Sequence, residues 1–221
     1  MLSMPRVPAE RRREQLIEAT INLAIDEGLA AASVRRIAER ANVSLGVVHY
    51  CFSSKEALIN AVAESFMNPI LGPVAAAFKE VANESFREKA RAAMQAFWDT
   101  TAADPGRQLL SYELASWSVR GDGEAARLLY KTYLDTIEAF LSDGLGLRGT
   151  SEVTTRTVAR MVLTLTDGAM LAWLVDRDEE ATLAVVKNYL SMLLNFVEDA
   201  IDRGALVLVD SEPPAQTAAV V

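Results

Sequence analysis

The sequence predicts an all-α protein, with an N-terminal three-helix head and a C-terminal helical bundle, about nine helices in total. Two observations support this prediction. Apolar residues recur at the three- and four-residue spacing of a helix along most of the 221 residues, and no stretch shows the alternation typical of a strand. Clusters of Gly, Pro and Asn separate these periodic stretches, as they do between the helices of a bundle.

The first two helices of the head are indicated by their ends. An apolar stripe over residues 16–24 stops at Gly28, a residue that favours the end of a helix. Ser33 can cap the second helix, because its hydroxyl can accept from a free N–H of the first turn. In that short helix Arg35 and Arg36 lie on the outer side.

A tight turn and two further helices follow. Asn42 tolerates the left-handed conformation that closes a helix, and Ser44 can cap a third helix over residues 45–52. The residues from Ser53 to Glu56 match a capping box, which predicts the start of a fourth helix. The later helices are predicted at 87–103, 107–119, 124–143, 151–175 and 179–203.

Charge is distributed unevenly along the chain. The net charge is −8 at pH 7, which by itself argues against nucleic acid. Residues 1–60, however, contain eight Lys or Arg and seven Asp or Glu, so the remainder carries a net charge of −9. This asymmetry favours an N-terminal unit with a partner of its own.

The composition also indicates a reducing, cytoplasmic setting. The one cysteine, Cys51, cannot form an internal disulfide, and the chain does not open on a charged segment followed by an apolar run. The most apolar stretch, residues 161–175, is interrupted by polar side chains and is too short to span a bilayer. We therefore expect no membrane partner.

Residue types and their spacing argue against several kinds of chemical site. His49, the only histidine, and Cys51 lie about 200° apart around a helix, so they cannot converge on one atom, and no other His or Cys could complete a zinc site or a triad. No pair of carboxylates is marked out for catalysis. Residues 144–149 match G-x-G-x-x-G, but a helix precedes them instead of a strand. We expect no enzyme activity, no metal and no cofactor.

Two short helices joined by a three-residue turn, after a basic arm, match the helix-turn-helix geometry, in which the second helix enters the major groove of DNA. The stretch SVRRIAERANVSLGVVHYCFSSKEAL resembles the N-terminal DNA-binding domain of the TetR family of bacterial repressors. The match rests on Gly28, Ser33, Ile37, Ala38, Ala41, Asn42, Val43, Ser44, Leu45, Gly46, His49, Tyr50, Phe52, Ser54, Lys55 and Leu58. Asn42 replaces the usual turn glycine, and Cys51 replaces the usual His or Tyr, which weakens one expected backbone contact.

The resemblance and the residue types together predict the DNA contacts. Phosphates are expected at Ser33, His49, Tyr50 and Lys55. Arg35 is expected to make a bidentate guanine contact, and Leu45 and Val47 to touch thymine methyls. The full predicted interface is Ser33, Arg35, Arg36, Ser44, Leu45, Gly46, Val47, His49, Tyr50 and Lys55. A solvated face is the alternative for Arg35 and Arg36, and for Arg11, Arg12 and Arg13 phosphate contact and plain helix-surface charge remain equally open.

The C-terminal part offers a candidate pocket. LLSYELASWSVRGD and VLTLTDGAMLAWLVD resemble the C-terminal domain of the BetI-type subgroup of the TetR family, which implies a small-molecule effector without identifying it. The predicted pocket residues are Met94, Phe97, Trp98, Tyr112, Glu113, Trp117, Tyr130, Tyr133, Met161, Asp167 and Met170. Glu113 and Asp167 lie inside apolar runs, which fits either an internal salt-bridge or hydroxyl network or a cavity for a cationic or polar ligand.

The last helix predicts a homodimer, because it carries two adjoining apolar stripes and only one can face the core of its own chain. The interface is assigned to Val186, Tyr189, Leu190, Leu193 and Val197. The predicted organisation is a flexible arm (1–9), a helix-turn-helix domain (10–56), an effector-binding and dimerisation domain (57–203) and a disordered tail (204–221).

The predicted function is a transcriptional regulator, a repressor released from a palindromic operator by a small molecule. The rival is a dimeric ligand sensor whose helix-turn-helix no longer reads DNA.

Overall fold

The computed structural model describes residues 8–209, and within them it confirms an all-α fold. Ten α-helices are present in that range: α1 Ala9–Glu27, α2 Val34–Arg40, α3 Leu45–Cys51, α4 Lys55–Ser65, α5 Asn68–Glu80, α6 Phe86–Ala102, α7 Pro105–Val119, α8 Glu124–Ala139, α9 Thr155–Asp176 and α10 Glu179–Asp202. A 3-10 turn at Leu29–Ala31, a π-helical turn at Phe140–Gly144 and two short strands, β1 Leu147–Gly149 and β2 Leu206–Leu208, complete the described elements.

The described residues form two compact units. The first comprises the residues up to Phe66 together with Asp104–Tyr130, and the second comprises Met67–Ala103 together with the residues from Lys131 onward. α7 therefore packs with the head, whereas the boundary predicted near residue 56 separated DNA binding from effector binding and dimerisation. Most of the predicted flexible arm, residues 1–7, lies outside the described residues.

The head has the helix boundaries that the sequence predicted. α1 ends where Gly28 adopts φ +82°, and the Ser33 hydroxyl accepts the N–H of Arg36 to cap α2. Asn42 adopts φ +51°, the left-handed conformation expected of it. Ser44 precedes α3 in extended conformation, but its side chain makes no capping hydrogen bond. The local signals therefore place the turn correctly.

Two helix starts differ from expectation. α4 is capped by Ser54, whose Oγ accepts from the Ala57 N–H at 3.1 Å, so the expected cap at Ser53 was one residue early. α5 was not predicted, because Pro69 and Pro73 suggested loops. Pro69 lies in the first turn, where no N–H is needed, whereas Pro73 stands inside the helix and removes one backbone hydrogen bond.

The core of the head joins its first four helices. Leu16, Ile37, Val48, Phe52 and Leu58 are buried in one cluster, so each of α1 to α4 contributes, as does the extended residue that ends α3. Complete burial of a side chain of this size contributes about 1.5–3 kcal/mol. This core fixes α2 and α3 against α1 and leaves their outer sides free.

The second unit is built mainly on α9 and α10. α9 buries Leu163, Met170 and Trp173, and Trp98 of α6 packs edge-on against Trp173 with ring centroids 5.7 Å apart. The Nε1 of Trp98 donates to Glu179 at 3.4 Å. By length and composition alone, the segments 55–80 and Thr155–Asp176 could cross a membrane. Seven side chains of α9 and five of α4 are buried within their own units.

The C-terminal segment corrects two expectations. The sequence suggested no strands and a disordered tail from residue 204, but Leu206–Leu208 pairs antiparallel with Leu147–Gly149, with Leu206 opposite Gly149. Ala205 and Leu206 are buried, so ordering this segment removes apolar surface from water. The G-x-G-x-x-G stretch thus ends in a strand, although a helix still precedes it. Residues 210–221 lie outside the described part of the chain.

Candidate functional site

The outer side of α2 and α3 forms one exposed surface, called here the reading face. Tyr50 is 72% exposed, and Leu45, Gly46 and His49 are also exposed, while Val47 is partly buried against the core of the head. The exposed tyrosine and leucine present a hydrogen-bonding and an apolar group beside a glycine that has no side chain. The structure therefore brings the predicted DNA-contacting residues of α3 together.

The arginines of α2 are held by carboxylates. Arg35 pairs with Glu39 at 3.0 Å on its own helix, and its side chain is 85% exposed. Arg36 and Arg40 instead pair with Glu27 and Asp26 at the end of α1, at 2.6 and 2.7 Å. Exposed pairs of this kind contribute little to stability, about 0–1 kcal/mol each. Arg35 can therefore be released to another anion at little cost.

Three of the predicted contact residues, Ser33, Ser44 and Lys55, lie at the starts of helices. Ser33 and Ser44 are exposed and begin α2 and α3, and Lys55 is the first residue of α4. Helix N-termini attract anions because their N–H groups point outward. The ten predicted DNA-contacting residues thus all lie on, or at the start of, helices α2 to α4.

The structure supports a packing role for Arg13. Its guanidinium donates to the carbonyl of Cys51 and lies 4.2 Å from the centroid of the Phe52 ring. The Nε2 of Gln15, nearby on α1, donates to the carbonyl of Ala41 at 2.7 Å. These contacts satisfy carbonyls at the ends of α2 and α3. Sequence reasoning missed them, since neither partner is a charged residue.

His49 and Cys51 lie apart as predicted, with His49 exposed and Cys51 buried. Within residues 8–209 no group of three or more His, Cys, Asp or Glu is arranged to hold a metal ion. α3 therefore has one buried side, which packs on the head, and one exposed side.

A cleft of about 800 Å³ opens within the first unit, called here the head cleft. Its walls come from the turn at Gly28–Ala30, the first turns of α4, the second half of α7 and the loop before α8. The lining residues are Gly28, Leu29, Ala30, Glu56, Ile59, Asn60, Tyr112, Glu113, Ser116, Trp117, Ser118, Arg120, Gly121, Asp122, Glu124 and Ala125. A cleft of this size lies in the range that holds small organic ligands.

Acidic side chains predominate in the head cleft. Glu56, Glu113, Asp122 and Glu124 line it with Arg120 as the one basic residue. Among residues 8–209 none of these four carboxylates forms an ion pair with Lys or Arg. The cleft wall therefore carries an excess of negative charge.

Three of these carboxylates accept hydrogen bonds from backbone or capping groups. Asp122 Oδ1 accepts the Glu124 N–H at 2.9 Å. Glu113 Oε2 accepts the Leu29 N–H at 3.4 Å. The pKa of Glu56 is lowered, first by the hydrogen bond from its own backbone N–H and then by the Ser54 hydroxyl. Glu56 is therefore ionised at neutral pH. Glu113 lines the cleft, which fits the cavity interpretation, and its hydrogen bond comes from a backbone N–H, not from the salt bridge or hydroxyl of the alternative.

Only three of the eleven predicted pocket residues line this cleft, namely Tyr112, Glu113 and Trp117. Tyr130 also belongs to the first unit but not to the cleft wall. The other seven, Met94, Phe97, Trp98, Tyr133, Met161, Asp167 and Met170, belong to the second unit. Trp98, Tyr133 and Met170 are buried there, and the hydroxyl of Thr101 contacts the Met170 sulfur at 3.7 Å, so these side chains contribute to a packed core.

Sequence reasoning missed the cleft residues outside α7. Glu56 was interpreted as part of a helix cap, and the Gly121–Gly123 stretch as a loop. Their only signal in the sequence was the carboxylates themselves, at 56, 122 and 124, since nothing local shows that these loops face residues near position 113.

The second unit exposes an apolar strip on α9 and α10, called here the apolar face. It comprises Leu171 and Val175 of α9 together with Val185, Tyr189 and Met192 of α10; Val175 is 80% and Met192 65% exposed. This corrects the predicted interface. Four of its five residues, Val186, Leu190, Leu193 and Val197, are buried in the core of the same chain, because they are on the side of α10 facing its own unit. Tyr189 alone is exposed.

Comparison with known proteins gives a consistent result. Residues 16–62 match the family model described as bacterial regulatory proteins, tetR family. The chain is 30% identical over 173 residues to the HTH-type nicotine-responsive transcriptional repressor HdnoR of Paenarthrobacter nicotinovorans, an alignment that covers 77% of this chain and 88% of that protein. It is 27% identical over 188 residues to the HTH-type transcriptional regulator BetI of Paraburkholderia phytofirmans, covering 84% of this chain and 94% of the relative.

The fold is shared with solved structures as well. A transcriptional regulator from Rhodococcus sp. Rha1 superposes with a TM-score of 0.64 at 27% identity, over 83% of this chain and 96% of that one. The matched segment contains all of α2, α3 and most of α1 and α4, where the reading face lies. The chain belongs to the TetR family of transcriptional regulators.

Proposed function

We propose that this regulator binds operator DNA through its reading face as a homodimer in the cytoplasm, and that a small molecule releases it. The observation that carries the proposal is the reading face itself. Leu45, Gly46, His49 and Tyr50 are exposed on a helix whose other side is buried in the core of the head. Such exposure of bulky side chains on a short helix fits a surface that is covered when DNA is bound.

The proposed contacts follow the chemistry of each side chain. Tyr50, His49, Ser33 and Lys55 would hold phosphates, which position the protein without reading sequence. Arg35 would exchange its exposed partner Glu39 for a guanine edge. Leu45 and Val47 would contact thymine methyls, while Gly46 and Ser44 let the α3 backbone approach the groove. Arg36 would remain paired with Glu27 and approach the phosphate from there.

The apolar face supports dimerisation. The apolar face would be removed from water against the same face of a second copy, since a two-fold axis pairs a surface with itself. Its residues are Leu171, Val175, Val185, Tyr189 and Met192. A two-fold dimer presents two α3 helices, so its operator would be nearly palindromic. This is the functional division we propose: residues 10–56 bind DNA, and residues 57–203 carry effector control and dimerisation.

Repression relieved by a ligand is supported by a relative. HdnoR is named a nicotine-responsive transcriptional repressor and covers most of this chain. In the proposed mechanism, the ligand favours a conformation in which the two recognition helices no longer have the spacing of successive major grooves. Control is then a shift of population between DNA-competent and DNA-incompetent states. No catalytic step is part of the proposal.

The test is fluorescence-anisotropy binding of the full chain to DNA from its own upstream region, with scrambled DNA as the control, at two salt concentrations. We expect tight binding to the native DNA that weakens steeply with salt, because phosphate contacts release counterions. Tyr50→Ala is expected to weaken binding to both DNAs, whereas Tyr189→Phe is expected to leave binding unchanged. Equal binding to native, scrambled and selected genomic fragments would favour a sensor that does not read DNA.

A further inference from the structure

We infer that the head cleft is a binding site for an apolar organic cation, with Glu56 and Glu113 facing its charge and Trp117 its apolar body. The inference deepens the proposed function and rests on it for its regulatory consequence, whereas the binding itself stands on the cleft alone. It places a ligand site inside the unit that carries the reading face.

The charge of the cleft selects the sign of the ligand. Its wall carries four carboxylates and one arginine, and none of those carboxylates is paired with a basic side chain among the described residues. A partly enclosed cleft strengthens an electrostatic attraction relative to open water. An anion would meet net repulsion there, and a cation would compensate it.

The remaining wall selects an apolar body. Leu29, Ile59, Tyr112 and Trp117 line the same cleft, and Trp117 is 47% exposed. The accessible part of this indole can contact a cation or an aromatic ring. A metal ion would leave most of the roughly 800 Å³ unfilled, whereas an organic cation with one or more rings would occupy it.

The position of the cleft links its occupancy to DNA binding. Gly28 and Leu29 form the turn immediately before α2, and Glu56 and Ile59 lie in the first turns of α4, immediately after α3. The Leu29 N–H donates to Glu113 Oε2 at 3.4 Å. A cation that draws on Glu113 would compete with that hydrogen bond and so act on the segment that positions α2.

The test uses a matched pair of dyes with the full chain. The cation is (dimethylaminostyryl)-N-methylpyridinium, and the control is its neutral parent without the N-methyl group, at a pH where the pyridine is uncharged. We expect the cation to bind one per protomer, at least about tenfold more tightly than the neutral dye. Glu113→Gln and Glu56→Gln are each expected to weaken binding of the cation about tenfold and to leave binding of the neutral dye unchanged. Glu14→Gln, an exposed carboxylate of α1 outside the cleft, is the matched control.

Each outcome decides between the two proposals. Gln at 113 can still accept the Leu29 N–H, and Glu56→Gln gives a second variant should that one misfold. Equal binding of both dyes, no binding, or Gln variants that behave like Glu14→Gln would overturn the cleft assignment. DNA binding without dye is measured in parallel. Selective DNA binding without dye binding would support the proposed regulator and overturn the cation site in the head cleft. Charge-selective dye binding without DNA binding would support the cation site and contradict the proposed DNA binding.

Discussion

The reading face and the apolar face are both exposed helical surfaces, but they differ in how their side chains are satisfied. The arginines of the reading face already hold carboxylates, such as Glu39 for Arg35 and Glu27 for Arg36. The apolar face has nothing comparable, because Val175 and Met192 can gain only by leaving water. The reading face can exchange partners at little net cost, which suits reversible, salt-sensitive binding. The apolar face suits a lasting interface.

The largest effect is expected from placing charge on the apolar face. Tyr189→Glu with Met192→Glu would bury four uncompensated charges in a two-fold interface, which is expected to cost about 4 kcal/mol or more and give a monomer in sedimentation velocity. Ser191→Glu, on the polar side of α10, is the control and should remain dimeric. A double variant that sediments like the parent would remove this surface as the interface.

The next effect concerns sequence reading by α2. Arg35→Ala is expected to cost about 1–3 kcal/mol of operator binding and to relax the preference at one base pair, since a bidentate guanine contact carries that discrimination. Anisotropy titrations against operators changed one base pair at a time measure it, with Arg91→Ala in α6 as the control. A loss of the same size for every DNA would show that Arg35 contacts only phosphate.

A smaller effect distinguishes the arginines of α1. Arg13→Met should lower the free energy of unfolding by about 1–2 kcal/mol, because the carbonyl of Cys51 loses a charged donor and Phe52 loses its cation. Arg11→Met, on the exposed side of α1, should leave stability nearly unchanged. Urea unfolding of both variants measures the difference. Equal stability would show that Arg13 is surface charge like its neighbour.

The smallest effect is a pH dependence of the ion pair between α6 and α10. The pKa of Glu198 on α10 is lowered, chiefly by its hydrogen bond with Arg87 on α6. A carboxylate with a depressed pKa stabilises the fold fully above its unfolded pKa of about 4.3, and this contribution disappears as pH falls through the folded value. Parent protein should therefore lose slightly more thermal stability between neutral pH and pH about 3.5 than Glu198→Gln. Parallel melting curves would contradict the ion pair.

Much of the fold could be predicted because its signals are local. Gly28, Ser33 and Asn42 determine the ends of α1 and α2 through their own backbone preferences, and the structure shows each in the expected role. α5 could not be predicted in this way, because Pro69 and Pro73 are local loop signals, yet Pro69 lies in the first turn and Pro73 inside the helix. The pocket prediction was less successful, since bulky side chains such as Trp98 and Met170 serve a core as readily as a cleft.

Local sequence signals were enough to predict the helical class, the helix-turn-helix and the family, because periodicity, caps and turn residues act over a few positions. Which stripe of α10 faces outward depends on packing, since both stripes are rich in apolar residues and the structure buries Val186 while Tyr189 stays exposed. The tertiary structure also decided that residues near 28, 56 and 113 share one cleft, and that Leu206 joins a sheet with Gly149. Those are contacts between distant positions, and only packing selects among the many pairings that one pattern allows.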